Sequence, residues 1–368
     1  MRTRLPLALV TAAAALAGCV TAQTAAARPT ALPQTHQGHA CSRSVALQGY
    51  SDSLDKTTFH DLPVAGISAL APDGRGRLVG LSDRSVLFTF DVAAHGPVPR
   101  ARTVAGVPVA DGNGAPLDSE GLVVERDGSR LVTSEAEPSI GRYTADGTFT
   151  GERLPIPQEL RVRPAGRAQH NQTFEGLTAS HAGRTLTASM EGPLEGDGTD
   201  ARGRALVRFQ NWRLGQAAAS PSSQWAYPVD PELGVAEIAA TGEGRYLVLE
   251  RGYDAAAGAN TIRLYLADPR HASDVGDVGN VGNTGSRTTG PGGVRPLRKT
   301  LLADLGDCPD LGAPNPSPQP NPLLDNIEAL AVTGRSPGRL HLLLASDDNQ
   351  RAEEVTRLYR LTARLPRR

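Results

Sequence analysis

The sequence predicts an all-β protein, a β-propeller of five or six blades, on three observations. A strand–turn–strand unit recurs five times, marked by Ser68, Glu120, Glu175, Glu237 and Glu328 at spacings of 52, 55, 62 and 91 residues. The chain carries 40 Gly and 28 Pro in 368 residues, a composition that favours short elements joined by tight turns over long helices. A single unit of three or four antiparallel strands cannot bury both of its faces, whereas units stacked around an axis can, and they leave only short edges. An irregular multi-sheet sandwich is the alternative, and a 4% aromatic content leans towards it.

In chain order, residues 1–27 read as an export signal. "MRTR" is a basic start and "LPLALVTAAAALA" an apolar run of 13 residues, too short to span a bilayer comfortably. The run leads into "LAGC", the pattern of a lipoprotein signal in which Cys19 carries the lipid. Cleavage after the alanines at 25–27, giving a fully secreted protein, is the other reading. Residues 28–40, "RPTALPQTHQGHA", have linker composition. The propeller domain is expected over 41–368. Export leaves Cys41 and Cys308 as a pair in an oxidising compartment, where a disulfide is the simplest outcome and two free thiols the alternative. No other run of 18 apolar residues occurs, so a lipid anchor is the one membrane contact expected.

The units themselves follow. "GISALAPDGRGRLVGLSDRSVLFTFDV" begins at Gly66, "DSEGLVVERDGSRLVTSEAE" at Asp118, "TFEGLTASHAGRTLTASMEG" at Thr173, "GVAEIAATGEGRYLVLERGYD" at Gly234 and "NIEALAVTGRSPGRLHLLLASDDNQ" at Asn326. Each is a short strand, a Gly-containing turn, an apolar strand ending in acid, a loop and a further strand. Residues 44–53 are positioned to close the ring as the outermost strand of the last unit. A sixth unit would lie at 158–171 or, better, 295–306. Gly-rich 273–293 and Pro-rich 309–322 are expected as mobile surface insertions.

Superposing the units lines up Ser68, Glu120, Glu175, Glu237 and Glu328 before the first apolar pair. Asp83, Glu135, Glu191, Glu250 and Asp347 line up at the end of the next strand. The first strand of a propeller blade lines the central channel, so equivalent positions form rings. Rings of carboxylates repel unless a cation, protons or arginines intervene. Hard oxygen donors favour Ca²⁺, with Mg²⁺ second, and Glu120, Glu175, Glu237, Glu328 and Asp347 are the candidate metal ligands. The plainer reading is that each glutamate accepts backbone N–H groups of the adjacent blade. Glu191 or Glu250 is the candidate general base. Arg251 and Arg84, which follow second-ring acids, would offset the charge or hold an anionic substrate. A net charge of −1 gives no reason to expect nucleic acid. No G-x-S-x-G, Walker loop or H-E-x-x-H is present, and "DGNGAP" and "EGDGTD" read as turns.

"DSEGL", "NQTFEGL" with a following "ME", "LVLERGYD", and "DNIEAL" followed by "LLLASDDNQ" resemble the phytase-like, "esterase-like activity of phytase" family of exported bacterial propellers, over roughly 64–361. The resemblance implies a hydrolase of phosphoric or carboxylic esters. It puts Glu120, Asn171, Glu175, Glu191, Glu250, Arg251, Asp325, Asn326, Glu328, Asp347 and Asn349 on motif positions, and Asn171 and Asn349 join Arg84 as candidate substrate contacts. Two departures stand out: "EA" for "EG" at Glu328-Ala329, and Asp348 where an amide is expected. The expectation is an exported, monomeric, calcium-dependent hydrolase of small-molecule esters. The rival is a surface-anchored propeller that binds a ligand or protein around a structural ion. A sugar-lactone hydrolase would differ only in substrate.

Overall fold

The computed structural model describes residues 38–180, 182–215, 218–279, 281–282 and 294–367. The signal at 1–27 with Cys19, and most of the linker, lie outside the described residues.

Five antiparallel sheets of four or five strands make five blades. From the inside outward, blade one is Ile67–Pro72, Leu78–Ser82, Val86–Val92 and Ala101–Pro108. Blade two is Leu122–Val124, Arg130–Ser134, Ser139–Tyr143 and Phe149–Arg153. Blade three is Phe174–Ala179, Thr185–Pro193, Leu206–Leu214 and Ala219–Pro228. Blade four is Gly234–Ala240, Tyr246–Asp254, Ala259–Asp268 and Arg298–Asp304. Blade five takes Asn326–Ser336, Arg339–Asp347 and Leu358–Ala363 from the chain's end, then Val45–Ser51 from its beginning. That last pairing, Val45 opposite Ala363 through Ser51 opposite Leu358, is the predicted closure, and the Cys41–Cys308 disulfide ties it to the end of blade four.

Three expectations change. The segment at 295–306 supplies the outer strand of blade four, and 158–171 holds only the 3₁₀ turn Gln158–Leu160, so the blade count is five. The start of 273–293 is anchored: Val275 and Val281 are buried with Leu206, Ala226 and Val294. The buried Arg208 guanidinium, paired with Asp197, donates to the carbonyls of Val275 and Val278. The stretch 309–322 is held likewise, because buried Arg357 donates to the carbonyls of Pro314, Pro322 and Leu323 while pairing with Asp52. At the linker's end, His39–Ala40 pairs with Leu47 and Ala46.

A shared irregularity shapes the centre. The innermost strands of blades one, three, four and five slip register near their start, after Ile67, Phe174, Val235 and Ile327. Such a bulge bends the strand and re-aims a side chain. It explains why the buried apolar residues fall three apart there, as Ile67 and Leu70, Phe174 and Leu177, Val235 and Ile238, Ile327 and Leu330. Beyond the bulges the strands line an axial cavity of about 190 Å³, with Leu70, Leu122, Leu177, Ile238 and Leu330 contributed one per blade.

Candidate carboxylate site

The bulges set two tiers of side chains at the mouth of the channel. The residue directly after the first of the apolar pair is Ser68 in blade one, Glu175 in blade three, Ala236 in blade four and Glu328 in blade five. Glu120, just ahead of the innermost strand, is its counterpart in blade two. The second tier lies across the sheet from the residue two places earlier. Asp83 N–H donates to Gly66 (2.9 Å), Glu135 to Asp118 (2.9 Å) and Glu191 to Thr173 (2.7 Å). Arg251 pairs with Gly234 and Asp347 with Asn326. The tiers are therefore Ser68, Glu120, Glu175, Ala236, Glu328 and Asp83, Glu135, Glu191, Arg251, Asp347.

Two sequence assignments are corrected by this register. In blade four Glu237 and Glu250 are each one residue out of place, and a slip of one residue in a strand sends the side chain to the other face. Glu237 turns to blade three and accepts the backbone N–H groups of Leu177 (3.1 Å) and Ile238 (2.8 Å). It occupies the space that Gly176 leaves open, since a Cβ there would lie 2.8 Å from its Oε1. Glu250 is buried away from the mouth, with Lys299 Nζ and Tyr227 Oη each 2.5 Å from Oε1 and Asp230 N–H on Oε2. It is a structural anion, not an accessible base.

The rest converge. Oxygens of Glu135, Glu175 and Glu191 come within 4.8 Å of one another. Burial raises Glu175 and Glu120 well above the ordinary carboxylate range, and neighbouring carboxylates push them further. Burial also lifts Asp347, with Glu328 and Asp83 adding to it. Glu135 is pushed up to about 7, burial outweighing the hydrogen bond it accepts from Thr173 N–H (3.0 Å). Glu191 is raised by burial against the pull of Arg251. Arg251 is the one cation of the two tiers, 3.0 Å from Glu328 and 3.7 Å from Glu191. Burial works against its charge, but Glu328, Glu191 and Glu175 hold it protonated. Asn326 Nδ2 donates to Glu328 Oε1 at 3.0 Å. Among the described residues no ion pair or protein hydrogen-bond donor serves Glu175, and the buried Arg251 Nε has no partner.

The family whose description reads "phytase-like: esterase-like activity of phytase" matches residues 62–350 of this chain. The chain belongs to the phytase-like family. A relative from Arthroderma benhamiae, described as an uncharacterized secreted protein, is 29% identical over 113 residues, 24% of this chain and 22% of its own. The match thus spans about a fifth of that relative's length. Among solved structures, the Pan2 WD40 domain of Neurospora crassa is similar at 9% identity, covering 90% of this chain and 99% of its own with a TM-score of 0.35. The PQQ-bound aldose sugar dehydrogenase of Streptomyces coelicolor is similar at 13% identity, covering 88% and 99% with a TM-score of 0.37.

The remaining candidate residues of this phytase-like chain differ in their surroundings. Arg84 is exposed and 3.6 Å from Asp83. Burial raises Asp118, with Arg84 and His170 close enough to oppose the shift. Asn171 is exposed at a positive φ of 57°. Asn349 caps Asp347 through its N–H (2.6 Å) and donates to Glu354 (2.8 Å). Asp348, the departure from the motif, adds little to the cluster, because Lys56 neutralises it at 2.7 Å and Gly66 N–H binds its other oxygen. Asp325 caps Asn326 and Val355 N–H groups. The residue given no role from sequence is Glu135, although its place at the end of the second strand was visible; Asp118 beside Glu120 was overlooked too. Asp111 and Asp200 close turns, as read. The donor set suits a hard divalent cation: several carboxylate oxygens, no thiol or imidazole, and too few positive charges to balance them.

Proposed function

We propose that this phytase-like propeller is a hydrolase of phosphoric or carboxylic esters acting outside the cell with a divalent cation, calcium first and magnesium second, at the carboxylate mouth. The observation that carries this reading is the convergence of Glu135, Glu175 and Glu191 oxygens, where Glu175 is a buried carboxylate with no ion pair or hydrogen-bond donor among the described residues. Glu135, Glu175 and Glu191 would hold the cation. When bound, it supplies charge that polarises an ester oxygen and makes water easier to deprotonate. Glu120, whose carboxyl is raised by burial and which has no ion pair among the described residues, would take that proton in place of Glu250. Arg251 acts as a positioning residue, because its guanidinium is spent on Glu328 and Glu191. Arg84, Asn171 and Asn349 would meet the substrate from the rim. The secreted relative and the Cys41–Cys308 disulfide support an extracellular setting; a lipid on Cys19 is the proposed anchor.

The test is turnover of p-nitrophenyl esters and phosphoesters with and without chelator. Activity should need calcium and fall by about 10²-fold or more in Glu175→Gln. Turnover indifferent to both would end this mechanism.

One observation favours the second reading, a binding propeller with a structural ion. Glu120, Glu175 and Glu328 keep only 8%, 7% and 7% of their surface exposed, which leaves little room for a reacting ester. Calcium-dependent stability with no turnover of any ester would decide for it.

A further inference from the structure

The turns at the far end of the propeller share an arginine. In every blade the turn after the innermost strand ends in arginine: Arg77, Arg130, Arg184, Arg245 and Arg339. Between blades four and five this end opens into a cleft of about 380 Å³ lined by Glu243, Arg245, Arg335, Ser336, Arg339 and Arg367. Four guanidinium groups face one carboxylate there, and Arg245 already holds Glu243 at 2.5 Å. Arg245 is only 5% exposed; its Nη1 donates to Pro366 O, and its buried Nε has no acceptor. Arg335, Arg339 and Arg367 are exposed, and among the described residues they have no side-chain hydrogen bond or ion pair. The Arg335 guanidinium lies over Gly242, where a Cβ would come within 2.7 Å of its Nη2. Arg335 lies seven residue steps along an extended strand from Glu328, about 23 Å, so this cleft is remote from the carboxylates.

We propose that the cleft is an anion site that takes a phosphate-bearing ligand. Four guanidinium groups gathered around a single carboxylate repel one another, and their planar forks match phosphate oxygens in pairs. Ser336 adds a neutral donor, and the volume admits a ligand with more than one phosphate group. The proposal is independent of the hydrolase reading, since it shares no residue with the mouth.

The test is a calorimetric titration of the whole protein with inorganic pyrophosphate in metal-free buffer. Saturable binding is expected, weakened by roughly tenfold or more in Arg335→Ala/Arg339→Ala, two exposed positions whose replacement should leave the melting temperature unchanged. Glu175→Gln should bind as the parent does. No saturable binding, or equal binding by the double variant, would overturn the site. Cosedimentation with phosphatidylglycerol but not phosphatidylcholine vesicles, lost in the same double variant, would assign the phosphate to a lipid headgroup. Pyrophosphate binding without vesicle binding would assign it to a soluble phosphate ester.

Discussion

Arg251 shows how one side chain can balance the charge of a whole cluster. It is the only cation in two tiers that otherwise hold Glu120, Glu175, Glu328, Asp83, Glu135, Glu191 and Asp347, and it bridges Glu328 and Glu191. Removing one partner from a buried charge pair leaves the other uncompensated, at a cost of about 3–5 kcal/mol. Arg251→Ala should therefore lower the unfolding free energy by roughly that amount in denaturant titrations run with chelator. Glu175→Gln should do the reverse and stabilise the metal-free protein, because it replaces a buried carboxylate that has no partner with a neutral amide. Most of this is legible in the sequence: repeat position puts Glu120, Glu175, Glu328 and Asp347 at the mouth, while Arg251 reads only as the residue after a second-ring acid. The balance of charge is not, because repeat position names a side chain without saying which neighbour it touches. Glu135 looked the same as Glu250 until the fold put one beside Glu175 and the other beside Lys299.

At the scale of the strand, blade four teaches the most. Aligning its glutamates with those of the other blades puts Glu237 and Glu250 in the tiers; aligning its apolar pair Val235 and Ile238 with Phe174 and Leu177 puts Ala236 and Arg251 there instead. The second alignment is the physical one, since buried apolar residues fix strand register more firmly than a polar side chain does. The bulge hid this signal by turning an expected spacing of two into three. Glu250 then gives a test. Glu250→Gln should destabilise the protein, because buried Lys299 loses its closest counter-ion, yet the kcat of the folded variant should stay within about twofold of the parent. A loss of 10²-fold or more in kcat with stability intact would return Glu250 to the role of base. The insertions failed to read as anchored for a related reason: their holdfasts, Arg208 and Arg357, sit far away in sequence among many other arginines.

For the molecule as a whole, closure and charge are linked. The ring is completed by Val45–Ser51 and tied by Cys41–Cys308 across 267 residues, and both features are visible in the sequence. Replacing both cysteines with alanine should reduce stability by roughly 2–5 kcal/mol. The closed ring holds its carboxylates together, and that makes stability depend on pH. Glu135 is raised from 4.5 to about 7 and Asp325 from 3.8 to about 6, burial being the main cause in both, and Glu120, Glu175 and Asp347 are raised too. An acid whose pKa is higher folded than unfolded favours folding while it is protonated in both states. That advantage is lost as pH rises from the unfolded value through the folded one. Metal-free protein should thus melt at a higher temperature at pH 5 than at pH 8.

Calcium would compete with protons for the same oxygens, so its effect should grow across that interval. The most direct measurement is a calcium titration of metal-free protein at pH 7.5, followed by thermal unfolding, for the parent chain and Glu175→Gln. Saturation at about 100 times Kd should add about 2.7 kcal/mol to the parent, and the gain should largely vanish in the variant. A melting temperature that does not move at millimolar calcium, or that moves equally in both proteins, would contradict a cation held by Glu135, Glu175 and Glu191.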